Sequence, residues 1–292
     1  MLRVILFCIL FSLFPLSWAS SAELVIGLIP EQNVFAQLER YEPLGKYISS
    51  RLGMPVRFSM LSRYGNIIES FRKKELNAAF WGSFTGALAI AKEGVEPIAR
   101  PVWLDDSSTY YGLVFVRKDS GYESFKDLEG KRIAFVDKAT TAGYVSPLFL
   151  LREQGVDKPP EDYFREVIYT GSHDAAILAV LNGEADVGAA KNTIYTLEAN
   201  RNKRVEEELK LIGWTQRVPS NALGVSSDFP KAEARRLKEI LIGMNDSPEG
   251  LKVLESFKAK KFIETTKDDY VPVFEMADKA GIELSTYDYF NK

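Results

Sequence analysis

From Leu24 onward, short apolar runs rich in β-branched residues alternate with longer stretches whose apolar positions repeat at helical spacing. This alternation restricts the fold more than any other feature of the chain. Leu24-Val-Ile-Gly-Leu-Ile29 reads as a strand, and residues 41–52 carry Leu44, Tyr47, Ile48 and Leu52 on one helical face before Gly53 stops it. Val56–Leu61 returns as a strand, residues 67–74 as a helix with a basic end suited to its dipole, and Ala78–Gly82 as a short buried strand. A helix of small residues follows through Ala91, and Pro97–Trp103 and Tyr111–Val116 close this block. The second block repeats the pattern, with strands at Lys131–Val136, Glu166–Tyr169, Asp186–Ala190 and Leu209–Trp214, and helices near 143–154, 173–182 and 193–200. Ala222–Val225 is a further strand, and helices are expected at 231–244, 248–257 and 269–280.

Such β–α alternation calls for a mostly parallel sheet with helices on both faces. Two blocks of this kind form two lobes with a cleft between them, and ligands of open α/β sheets sit beyond the carboxyl ends of the strands. With no internal repeat or low-complexity linker, the boundaries are expected at the strands near 113–118 and 214–220. This assigns residues 23–113 and 219–292 to one lobe and 114–218 to the other. A length of 292 residues agrees with two domains at about 150 residues each.

Residues 1–22 read differently. Arg3 precedes the apolar run Val4–Leu16, and the small residues of Trp18-Ala-Ser-Ser-Ala22 precede Glu23. A positive start, a short apolar core and a small-x-small ending describe a secretory signal peptide, too short for a comfortable membrane span. Cleavage after Ala22 is preferred to cleavage after Ala19, because the first strand begins at once. Cys8, the single cysteine, lies inside the apolar core, so the mature chain would carry none.

Other classes are disfavoured. The formal net charge of −3 offers no basic excess for nucleic acid or anionic lipid. One Cys and one His exclude Cys-rich zinc modules and disulfide frameworks. There is no Walker loop, dinucleotide glycine fingerprint, Gly-x-Ser-x-Gly elbow or metal-spaced His pair. The carboxylates are scattered, so no hydrolytic pair can be named. The chain is read as neither an enzyme nor a cofactor or metal carrier.

The informative stretches lie where strands hand over to helices. After Val136, the junction Asp137-Lys-Ala-Thr-Thr-Ala-Gly143 sets Thr140 and Thr141 ahead of the small Ala142 and Gly143. Amides of a first helical turn lack intrahelical partners and suit a phosphate-like anion, with the threonine hydroxyls as additional donors. Plain N-capping by Thr140 or Thr141 is the competing reading. In Tyr169-Thr-Gly-Ser-His-Asp-Ala175, His173 occupies a first turn where imidazolium is disfavoured, so it is either a neutral donor or a surface residue beside a capping Ser172 or Asp174. Asp186 either accepts a proton from a hydrogen-bearing oxyanion or merely opens its strand. Tyr64, Tyr110, Ser83 and Trp81 stand at element ends where aromatic walls with polar tips suit a cleft, although Trp81 also fits a core.

Taken together, Tyr64-Gly-Asn-Ile-Ile-Glu69, Asn77-Ala-Ala-Phe-Trp-Gly-Ser83, Tyr110, Ala139-Thr-Thr-Ala-Gly-Tyr144, Ser172-His-Asp174 and Gly183-Glu-Ala-Asp-Val187 resemble the phosphate/phosphite/phosphonate-binding solute receptors of ABC transporters. The resemblance implies an α/β, type 2 periplasmic-binding fold: two lobes with mixed sheets flanked by helices, joined by two crossover strands and closing on the ligand. In that family the anion rests on a Ser-Thr-Ser-Gly helix start, two tyrosines and a nearby histidine. Those positions fall here on Thr140, Thr141 and Ala142, on Tyr64 and Tyr110, and on His173.

Ala142 removes one hydroxyl of that pattern but keeps its amide. Family members that bind aminophosphonates hold the ammonium with carboxylates. One of those sites falls on Asn221 and another near Asn192-Thr193, neither acidic, and a neutral site would not offset an ammonium's desolvation. The resemblance therefore implies a periplasmic, monomeric receptor for a small oxyanion without an amine (phosphate, phosphite or an alkylphosphonate) that delivers it to ABC permease membrane subunits. A sensor of the same fold reporting to a membrane receptor kinase is the alternative. Lys191, just past the Asp186 strand, is read as a solvated lysine that at most adds a positive charge.

Overall fold

The structure, a computed structural model, describes residues 23–291; the expected signal peptide at 1–22 lies outside them. Thirteen strands are present among the described residues. In chain order they are β1 (Leu24–Leu28), β2 (Val56–Met60), β3 (Ala78–Trp81), β4 (Glu96–Trp103), β5 (Thr109–Tyr110), β6 (Gly112–Arg117), β7 (Arg132–Phe135), β8 (Glu166–Tyr169), β9 (Val187–Lys191), β10 (Leu209–Trp214), β11 (Val218–Pro219), β12 (Ala222–Val225) and β13 (Ala259–Glu264). They build a six-stranded sheet in the order β13-β4-β12-β3-β1-β2 and a five-stranded sheet in the order β10-β6-β9-β7-β8. The architecture is the two-lobed type 2 periplasmic-binding fold with mixed sheets.

The sheets are less parallel than the alternation predicts. Only β1 with β2 and β3, and β7 with β8 and β9, run parallel. In each sheet the strand through which the chain arrives from the other one opposes both neighbours: β6 against β9 and β10, β12 against β3 and β4. The strand expected as the first crossover lies wholly inside the five-stranded sheet. The chain crosses just before it and again after β10, and there β5 and β11 pair antiparallel, Tyr110 opposite Val218 and Thr109 opposite Pro219. Tyr110 thus stands at the junction of the two sheets.

Local chemistry accounts for the element ends that shape the cleft. The first helix begins at Val34 rather than near Tyr41, because Asn33 Oδ1 accepts the amides of Phe35 and Ala36. It ends at Gly53, whose φ of 74° is costly for a residue with a Cβ. Its buried Tyr41 meets Phe58, Phe80 and Phe257 edge-on at 5.1–5.5 Å, fastening the helix to the six-stranded sheet. Across the other sheet, Phe115, Phe135, Ile133, Val187 and Ile177 are buried, so the strand ends that face the cleft project from rigid supports.

Candidate functional site

The carboxyl ends of β1, β3, β7, β8 and β9 converge on one small cavity between the sheets, of about 10 Å³. That is about the space one water molecule needs, so the two sheets stand close together around it. Ile29 and Glu31 follow β1, Gly82 follows β3, residues 139–142 follow β7, His173 follows β8, and Lys191 ends β9. Tyr64, Thr85, Tyr110 and Asn221 complete the lining.

The segment after β7 is a tight turn that leads into a helix. Asp137 O accepts both the amide of Thr140 (2.9 Å) and its hydroxyl (2.7 Å), while Asp137 Oδ1 accepts the Ala139 amide (2.8 Å). Thr140 is therefore occupied in shaping the turn. A π-helical turn spans Thr141–Val145, and its ladder starts at Val145, whose amide donates to Thr140 O at 3.1 Å. The amides ahead of it are not used by that ladder. Gly143 is required here: a Cβ would lie 2.4 Å from Val136 Cγ2. Neither threonine caps its own helix. Instead Thr141 Oγ1 accepts the Phe84 amide at 2.8 Å and the Tyr110 hydroxyl at 2.9 Å, which leaves its own hydrogen for a third partner. Tyr110 Oη in turn accepts the Ser83 amide at 3.3 Å.

Tyr64 Oη is buried and has no hydrogen-bond partner. Burial raises the pKa of this phenol well above its ordinary value and, next, Glu31 adds repulsion, so Tyr64 is a neutral donor. Its ring meets His173 edge-on at 6.2 Å. His173 Nδ1 accepts the backbone amide of Lys191 at 3.3 Å, which places the imidazole hydrogen on Nε2. Burial, opposed by the pull of Glu31 and assisted by the charge of Lys191, lowers the His173 pKa to about 4. Ser172, not His173, caps this helix: its Oγ accepts the Ala175 amide at 3.4 Å and pairs closely with Asp174. His173 is a buried neutral donor rather than a surface residue.

Lys191 corrects the reading from sequence. It is 4 % exposed, and its ammonium donates to Glu31 Oε1 at 2.7 Å and to Asn221 Oδ1 at 3.0 Å. The same nitrogen lies 4.4 Å from the centroid of the Tyr110 ring. Burial alone would raise the Glu31 pKa, but the charge and hydrogen bond of Lys191 outweigh it and hold the carboxyl below its usual range. The site is therefore not free of acids, as Asn221 and Asn192-Thr193 had implied. Glu31 sits in a plain Pro-Glu-Gln-Asn loop that carries no motif. The one signal available for Lys191 was its place at the end of the uniformly apolar run Val187–Ala190.

Three other expected residues lie elsewhere. Asp186 precedes β9 while Lys191 ends it, a separation of five residues or about 16 Å of extended chain. Its carboxylate is taken by Arg132, at 2.9 Å from Nη2 and 3.1 Å from Nε, and by the Arg132 amide at 2.9 Å. Trp81 is core, with its indole N–H donating to Gly224 O at 3.4 Å and its ring against Phe71 at 5.1 Å. Ser83 does not line the cavity either; its hydroxyl donates to Pro219 O at 2.5 Å. Tyr64, Tyr110, Thr140, Thr141, Ala142, His173 and Asn221 all line it. Among the described residues there is no cluster of three or more His, Cys, Asp or Glu side chains able to hold a metal ion.

Comparison with known proteins gives a consistent result. Residues 26–270 match the family profile described as "ABC transporter, phosphonate, periplasmic substrate-binding protein". An ABC transporter protein of Prochlorococcus marinus, named for phosphite binding, is 23% identical over 288 residues, covering 93% of this chain and 94% of the relative. A solved binding-protein component of an ABC phosphonate transporter from Pseudomonas aeruginosa superposes with a TM-score of 0.81 at 21% identity, covering 89% of this chain and 87% of its own. The Prochlorococcus marinus protein solved with methylphosphonate superposes with a TM-score of 0.78 at 23% identity, covering 89% and 98%.

Proposed function

The chain belongs to the ABC-transporter family of periplasmic phosphonate substrate-binding proteins, a class of transport receptors rather than of enzymes, and from that membership we propose that it captures a small phosphorus oxyanion and delivers it to a membrane permease. The ligand class is phosphate, phosphite or a simple alkylphosphonate, held between a lobe of residues 23–113 with 219–292 and a lobe of residues 114–218. The protein works as a monomer in the periplasm after removal of residues 1–22, and it performs no chemistry on its guest.

The observation that carries this reading is the unpartnered hydroxyl of Tyr64, buried at the wall of the cavity. A buried donor without an acceptor costs about 1–3 kcal/mol. The cost is offset when an acceptor-only guest arrives, and a tetrahedral oxyanion is such a guest. Neutral His173 offers an N–H, Thr141 offers its remaining hydroxyl hydrogen, and the amides opening the turn at Thr141 and Ala142 offer more. All are donors, and the one full positive charge in the lining, on Lys191, is paired with Glu31. The relatives' own names point to the same class, since they mention phosphite, phosphonate and methylphosphonate.

Donors from both lobes meet the guest only when the cleft is closed, and this differential contact is what shifts the population toward the closed form that a permease reads. Titration calorimetry of the mature chain with phosphate, phosphite, methylphosphonate and sulfate tests the proposal. At least one phosphorus oxyanion binds in the micromolar range or tighter, and more tightly than sulfate. Absence of heat with all three phosphorus compounds overturns it.

A further inference from the structure

Lys191 Nζ is surrounded by a carboxylate oxygen at 2.7 Å, an amide oxygen at 3.0 Å and an aromatic face at 4.4 Å. A carboxylate, a neutral acceptor and a π-face are the three groups that recognise an alkylammonium ion. Glu31, Asn221 and Tyr110 thus form an ammonium cage that opens on the same cavity as the anion donors. Its occupant comes from the chain itself. We propose that Lys191 plugs an ammonium subsite, and that this plug makes the receptor reject aminoalkylphosphonates in favour of oxyanions that carry no amine.

The inference rests on the oxyanion reading above and adds the device that sets its selectivity. A guest ammonium placed near Glu31 would face Lys191 in a site with little water to screen the repulsion. An uncharged methyl or a phosphorus-bound hydrogen meets no such penalty. The rejection is therefore built from a repulsive element rather than from a missing attractive one. Size agrees with charge. Beyond its Cβ, Lys191 fills the cage with three methylenes and an ammonium, slightly more than the aminoethyl arm of 2-aminoethylphosphonate. Removing that side chain opens space of the right length and leaves Glu31 and Asn221 facing it.

Calorimetry with methylphosphonate and 2-aminoethylphosphonate, on the wild-type mature chain and on Lys191→Ala, tests the plug. Wild type prefers methylphosphonate by about a hundredfold or more. The variant, checked for folding by circular dichroism, binds 2-aminoethylphosphonate at least about tenfold more tightly than wild type does. It loses methylphosphonate affinity, and added propylammonium, the fragment removed, restores it. Equal wild-type affinity for the two phosphonates overturns the inference, and that ratio decides by itself if the variant does not fold. A folded variant that responds to neither amine overturns it as well. Wild type binding both compounds equally sinks the plug alone, whereas wild type binding no phosphorus compound sinks the oxyanion reading and the plug with it.

Discussion

The Thr141 hydroxyl oxygen accepts the amide hydrogen of Phe84 at 2.8 Å. Phe84 belongs to the first turn of the helix Ser83–Glu93, which leaves the six-stranded sheet after β3, and Thr141 opens the turn that leaves the five-stranded sheet after β7. One hydroxyl therefore joins the helix starts of both sheets, and the bond exists only while they are together. Tyr110, from the crossing between the sheets, donates to the same oxygen. Thr141 is at once a wall of the cavity and a latch across it.

This double duty makes Thr141→Val costly in two ways. The variant leaves the buried Phe84 amide and Tyr110 hydroxyl without their acceptor, at about 1–3 kcal/mol of stability each. It also removes a donor from the cavity, so oxyanion affinity falls about tenfold or more. Thr141→Ser keeps the hydroxyl and retains most of both. Urea unfolding and calorimetry measure the pair of effects, and Thr141→Val binding within twofold of wild type would deny the residue its ligand role.

Tyr64→Phe separates binding from stability more cleanly. Its hydroxyl has no partner in the protein, so removing it deletes no internal hydrogen bond and relieves a buried orphan. The melting temperature of the unliganded variant stays level or rises. Phosphorus-oxyanion affinity drops about tenfold to a hundredfold, the worth of one charge-assisted hydrogen bond. A melting temperature that falls together with unchanged affinity would place Tyr64 in the core instead.

The two kinds of residue at this site differ in how far the sequence discloses them. Thr140, Thr141 and Ala142 were legible because a strand end, two hydroxyls and small residues follow one another along the chain, so the signal is local. His173 was legible for the same reason, although its burial was not. Glu31 and Lys191 are ordinary charged residues 160 positions apart, and only their 2.7 Å contact gives either one meaning. Asp186 shows the converse: a residue at a suggestive position whose charge is already claimed by Arg132, from a neighbouring strand. In the fold, periodicity located the longer strands but missed the edge strand β13, where Ala259, Phe262 and three lysine or glutamate positions give no clean alternation, and the two-residue β5 and β11. It could not show that β6 and β12 oppose their neighbours, because strand direction depends on where the chain has come from.

Two buried groups near the cavity give opposing pH dependences over one window. Burial lowers the His173 pKa to about 4, so between pH 4 and 6.5 the unfolded chain binds a proton that the folded chain refuses, and stability rises with pH. Burial raises the Asp137 pKa to about 6 from 3.8, partly countered by the Ala139 amide and Asn291, so there the folded chain keeps a proton that the unfolded one releases, and stability falls with pH. Each amounts to about 3 kcal/mol at full extent, and they nearly cancel. Relative to wild type, His173→Gln loses stability as pH rises from 4 to 6.5, and Asp137→Asn gains it. Chemical denaturation at stepped pH reads both slopes, and parallel curves for all three proteins would refute the assignment.

Asp186→Asn is the control for ligand contact. The carboxylate lies at the far end of β9 from the cavity and holds Arg132 through its side chain and backbone amide. The variant weakens a partly exposed ion pair, which typically contributes about 1 kcal/mol or less. Oxyanion affinity therefore stays within about twofold of wild type. A tenfold loss would return Asp186 to the site.

Gly143→Ala tests whether the turn after β7 must keep its shape for binding. A Cβ at this position would lie 2.4 Å from Val136 Cγ2 and 2.8 Å from Thr140 Oγ1, closer than real contacts permit. Val136 cannot withdraw easily, because its amide is tied to Gly143 O at 3.1 Å. The turn must move, carrying the Thr141 and Ala142 amides with it, and stability falls by about 1–3 kcal/mol, as for other overpacked sites. Adding Val136→Ala removes the methyl at 2.4 Å but leaves the Val136 Cβ at 2.5 Å and the Thr140 hydroxyl at 2.8 Å, so the clash persists. In the double variant affinity therefore does not return to wild type, and stability falls further, because the lost Val136 contacts leave core surface unfilled. If Gly143→Ala instead binds oxyanion as tightly as wild type, the amides of this turn are not where the guest is held.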